Sequence, residues 1–120
     1  MKLGNCGKIL AASAAAAATI GTASANHAWG NYHWGRTVNP FSLRLGDNVG
    51  GAWDAALASA STDWSMSSVL NTYIVAGRSV PSTCYGSSGR VEVCNYAYGS
   101  TGWLGIAQIY ASGSHITQGI

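Results

Sequence analysis

Phe41, Leu43 and Leu45 alternate with Ser42, Arg44 and Gly46, a period of two that puts the apolar set on one face of a half-buried strand. Downstream the period lengthens: Trp53, Leu57, Ala60 and Trp64 recur at helical spacing, with Asp47 or Asn48 placed to cap the first turn by accepting from its free amides. Gly50 and Gly51 each cost up to about 1 kcal/mol of helix propensity, so the pattern predicts a helix held by packing its tryptophan face onto a sheet. Residues 69–76, rich in β-branched and aromatic side chains and closed by Gly77, read as a second strand. After the turn-rich stretch 81–89, residues 90–98 read as a third. Residues 106–111 and 115–120, on either side of Ser112-Gly113-Ser114, read as two more. The expected fold class is therefore α+β, a twisted mixed sheet of about four to five strands with one backing helix.

Two segments before Phe41 lack such a period. Residues 26–39 contain His27, Trp29, Tyr32, His33 and Trp34 without sustained spacing and read as an N-terminal arm. Residues 1–25 have Lys2 and Lys8 around small polar residues, an alanine-dominated apolar run, and Ala23-Ser24-Ala25 at the end. That order is the signature of a removable signal peptide, and the run is shorter than the roughly 20 apolar residues a membrane span needs. The expectation is a secreted, extracellular chain beginning at Asn26, with no membrane attachment after cleavage and with Cys6 leaving in the signal.

Removing the signal changes the charge. Lys2 and Lys8 go with it, leaving Arg36, Arg44, Arg78 and Arg90 against Asp47, Asp54, Asp63 and Glu92, a formal balance of 4 − 4 = 0. Without a basic patch there is no electrostatic footprint for nucleic acid or anionic membrane. Cys84 and Cys94 remain, an even count in an oxidising compartment, and are expected to form a disulfide contributing about 3 kcal/mol.

Candidate chemistry is sparse. Gly99, Gly102 and Gly105 lack the spacing of a phosphate loop, and Gly86-Ser87-Ser88-Gly89 is not a nucleophile elbow. The histidines, His27, His33 and His115, lie apart in the sequence and read as exposed or locally hydrogen-bonded groups rather than metal ligands. Glu92, the only glutamate, reads as a surface or salt-bridge group. The residues by themselves identify no catalytic group and no metal site.

The run Tyr98-Gly99-Ser100-Thr101-Gly102-Trp103-Leu104-Gly105, followed by Gly113-Ser114-His115-Ile116, carries the most specific likeness in the chain. With weaker support from Asn39-Pro40-Phe41, from residues 60–64 and from residues 89–95, it resembles secreted bacterial zinc metalloproteases of the matrixin-like (metzincin) type. The resemblance implies a zincin-like N-terminal subdomain over residues 40–120. It also implies a zinc cofactor and a peptide or protein substrate for the full-length protein. The family's zinc-binding His-Glu-x-x-His helix has no counterpart here, so the expectation is a chain truncated before that helix and inactive alone. By the same resemblance, Ile106, Gln108 and Tyr110 lie on the edge strand that pairs with extended substrate. Two other readings stay open: a small carbohydrate- or cell-wall-binding module using Trp29, Tyr32 and Trp34, and a non-catalytic pseudo-protease domain. Ile120 falls inside a strand-like pattern, which adds to the expectation of a longer protein.

Overall fold

The computed structural model describes residues 29–120; the signal sequence, Cys6, His27 and the start of the arm lie outside the described residues. The strands are β1 (His33–Trp34), β2 (Phe41–Asn48), β3 (Leu70–Ala76), β4 (Arg90–Cys94), β5 (Ile109–Ser112) and β6 (His115–Gly119), with one helix, α1 (Gly51–Ser65). Together they form an α+β unit with a single mixed sheet of six strands.

β2 is the axis of the sheet. It pairs in parallel with β3 on one side, Leu43 beside Thr72, and with β4 on the other, Leu45 beside Val91. β4 passes the sheet on to β6 through Val91 and Gly119. β5 runs back along β6 and is the antiparallel strand of the set. β1 lies parallel to the start of β6 and shares that side of it with β4. Part of the expected arm is thus a strand, and it brings the sheet above the expected count. A register shift between Tyr110 and Ala111 leaves Thr117 outside the pairing, a bulge of the kind that bends an edge strand. The Thr117 hydroxyl donates to the Tyr110 carbonyl across it.

Alternation of side chains along parallel, in-register strands gives the sheet two different faces. Leu43, Leu45 and Thr72 face the helix; Gly46, Asn48, Arg90 and Glu92 face the opposite way, under the segment 77–89. The buried apolar set among the described residues is Leu43, Leu45 and Leu57.

The helix forms where expected but turns a different face inward. Trp53 and Trp64 are 56% and 63% exposed, whereas Leu57 and Ser61 are buried. The reason is a hydroxyl seam: Ser61 Oγ lies 2.8 Å from Thr72 Oγ1, and the Thr72 amide donates to Ser65 Oγ at 2.9 Å. Leu57, Ser61 and Ser65 are four apart, so one stripe docks on β3 and the tryptophans lie off it. The expected caps are also engaged elsewhere. Asp47 Oδ1 accepts from the Val49 amide, Asn48 is buried on the other face, and Gly50 occupies the cap position without a side-chain bond. Trp64→Ala is therefore expected to change stability by less than about 0.5 kcal/mol. Leu57→Ala should cost about 2 kcal/mol, near the low end for buried leucines because the open groove borders it. Urea denaturation of the two variants checks this order.

Candidate functional site

On the helix side, a groove of about 990 Å³ separates α1 from the segment 95–108. Trp53 and Leu57 form one wall, Val93 is at the base, and Tyr98, Trp103 and Leu104 form the other. The far wall is built from aromatic rings. Tyr96 packs on Tyr98 with centroids 5.7 Å apart, and Tyr98 on Trp103 at 5.5 Å. The Tyr98 hydroxyl donates to the Pro81 carbonyl at 2.6 Å, tying this wall to the segment on the opposite face. Gly99 and Gly102 have φ of 76°, a backbone conformation that glycine adopts without strain and that lets the chain reverse around Trp103.

Gln108 and Ile120, which continue the β5–β6 ladder, line this groove, and β5 itself is the outer strand of the sheet. Of the residues assigned to the substrate edge by resemblance, Tyr110 lies in β5 and is exposed. Gln108 extends the ladder by one step, exchanging backbone hydrogen bonds of 3.0 Å with Ile120 in both directions. Ile106 stands in the preceding loop, exposed at the mouth of the groove. The three lie on one continuous stretch of chain. Its outer side has no strand partner among the described residues.

Cys84 and Cys94 form the expected disulfide, which ties the segment 77–89 to the end of β4. Beneath that segment lies an arrangement the sequence does not announce. Glu92 is 0% exposed rather than at the surface. Its Oε2 accepts from Asn48 Nδ2 at 2.7 Å and from the Arg78 amide at 3.1 Å. Arg90 Nη1 stands 3.6 Å from Oε1 and donates instead to the Ala76 carbonyl at 3.0 Å, so Oε1 has a charge partner but no hydrogen bond. Asn48 Oδ1 accepts from the Ser79 amide. Gly46 pairs with Glu92 in register, and a Cβ there would overlap the carboxylate.

Burial pushes the Glu92 carboxyl up, but the Asn48 amide, the Arg78 backbone, Ser87 and the Arg90 charge outweigh it and hold the group below its ordinary value of 4.5. A depressed pKa in the fold means a contribution to stability that is complete above the unfolded value and disappears as pH falls through the lower folded value. The urea midpoint is expected to fall as the pH drops below about 4.5, and this part of the fall should vanish in Glu92→Gln.

The groove can hold apolar side chains, and the free strand edge can accept an extended backbone. Glu92 is too enclosed to reach a substrate. Among the described residues, no group of three His, Cys, Asp or Glu side chains is placed to hold a metal. The zinc implied by the resemblance thus finds no ligand set among the described residues. Also among the described residues, no helix is long and apolar enough to cross a membrane. No family model matches the chain, and searches of curated proteins and of solved structures returned no match.

Proposed function

We propose that this chain is the substrate-side part of a secreted, zinc-dependent metalloendopeptidase similar to the matrixin-like metzincins, a zincin-like sheet and helix whose zinc-bearing helix is encoded outside these 120 residues. The observation that carries this reading is the apolar groove beside α1, lined in part by Ile106 and Gln108 of the chain that leads into the antiparallel edge strand. A groove with tryptophan, leucine and tyrosine walls leaves apolar area in water, and covering it with an amphipathic helix would gain about 25 cal/mol for each Å² removed from solvent. In the same reading, an extended peptide pairs with the outer side of residues 106–110 and is aligned by main-chain hydrogen bonds, while Ile106 and Tyr110 contact its side chains. The disulfide and the signal-like residues 1–25 support export. The zinc chemistry would belong wholly to the further helix; this chain would supply alignment and enclosure.

The test is the reading frame beyond the Ile120 codon. It is expected to continue into a helix bearing His-Glu-x-x-His; a stop codon at that point in an intact gene would overturn the proposal. The carbohydrate-binding alternative rests on exposed aromatics, and Trp29 is 70% exposed. Yet Trp29 meets Tyr32 at 61°, edge to face, which does not make the flat platform on which a sugar ring stacks. Insoluble polysaccharides are expected to leave the chain in the supernatant.

A further inference from the structure

Away from the groove, β1 and β6 place His33 directly beside His115. Their rings meet edge to face with centroids 4.7 Å apart, and both residues are exposed. His33 Nδ1 lies 2.8 Å from the Asn31 carbonyl oxygen. A carbonyl only accepts, so Nδ1 donates this bond and Nε2 is the nitrogen available to a metal, the arrangement that orients metal-binding imidazoles. An ion about 2.1 Å from one nitrogen of each ring lies roughly 3.2 Å from each ring centre. With centres 4.7 Å apart, the rings then subtend about 95° at the ion, between square-planar and tetrahedral values. Turning the His115 ring about its broad second torsion brings one of its nitrogens toward His33 without moving either strand and leaves the His33–Asn31 bond in place.

We propose that His33 and His115 form a surface site for a divalent transition ion of the zinc, copper or nickel class, with water in the remaining positions. No third His, Cys, Asp or Glu joins them among the described residues, so the ion would be held less firmly than in a structural zinc site. Its structural effect is specific. β1 is only two residues long and is held by its pairing with β6, including the His33 amide donating to the Ser114 carbonyl at 3.0 Å. An ion bridging the two rings would clamp the arm to the sheet. The inference is independent of the protease reading, because neither histidine borders the groove.

The test titrates residues 26–120, the chain left once the signal and its Cys6 are removed, with Zn²⁺ and follows the histidine ring signals by NMR. The His33 and His115 rings are expected to shift together and saturate at one ion per chain. Amide exchange at His33 and Trp34 should slow as they do. His33→Gln and His115→Gln should each weaken the apparent Kd at least tenfold, and His27→Gln should leave it unchanged. Backbone signals of β2 and β4 in the same samples report that the variants remain folded. Independent shifts of the two rings, a Kd within twofold of the parent in either variant, or loss of binding on His27→Gln alone would overturn the site.

Discussion

Glu92→Ala is expected to lower the unfolding free energy by about 3–5 kcal/mol, the cost of removing one partner from a buried ion pair and stranding the other. Arg90 is buried too; it would keep its bond to the Ala76 carbonyl but lose its charge partner. Asn48 Nδ2 and the Arg78 amide would lose the acceptor they share, and unmade buried bonds are costly. So large a loss matters in a unit whose buried apolar set is Leu43, Leu45 and Leu57, because domains of this size have little stability to spare. Replacing both ionic partners, as Glu92→Leu with Arg90→Met, removes the stranded charge. The double variant should be more stable than the sum of the single losses allows. Urea denaturation of the four proteins in the cycle measures the coupling directly. Strict additivity would show that the pair is not a unit.

Removing the disulfide by replacing Cys84 and Cys94 with serine should cost about 3 kcal/mol through the freed loop entropy of the unfolded chain. A second consequence follows from where the bridge lies. The segment it anchors also covers Glu92, through the Arg78 amide on the carboxylate and the Ser79 amide on Asn48. Loosening the segment admits water to the ion pair and weakens it. The disulfide and Glu92 losses should therefore combine to less than their sum. Amide exchange at Arg78 and Ser79 in the serine variant is expected to speed up while that of β2 holds.

The sheet was legible in the sequence because its strands carry β-branched and aromatic runs bounded by glycine, and β3 and β4 begin at or within one residue of the positions those runs mark. β1 was not legible, since two residues cannot display a period. The helix was legible in extent but not in orientation: the apolar period pointed through Trp53 and Trp64, while the fold docks the helix through Ser61, Ser65 and Thr72, whose hydroxyls carry no signal in a hydrophobic pattern. Glu92 was legible only in part, for a related reason: its ion pair with Arg90 matches one of the two expected roles, whereas its burial rules out the surface one. An isolated glutamate on a strand has the same sequence appearance whether it faces water or a covering loop. Only the register that sets it against Gly46 and beside Asn48 reveals the difference. The pairing of His33 with His115 joins residues from opposite ends of the described chain and depends wholly on β1 lying along β6.

Whether this sheet and helix serve a zinc peptidase, as proposed, can be read from the naturally secreted product of the gene. Its intact mass, its zinc content and its cleavage of an unfolded protein substrate can be measured on one preparation. The product is expected to be longer than the 120 residues, with a firmly held zinc that survives gel filtration and cleavage that stops when a chelator removes it. A secreted product ending at Ile120, without retained zinc and without cleavage, would contradict the proposal.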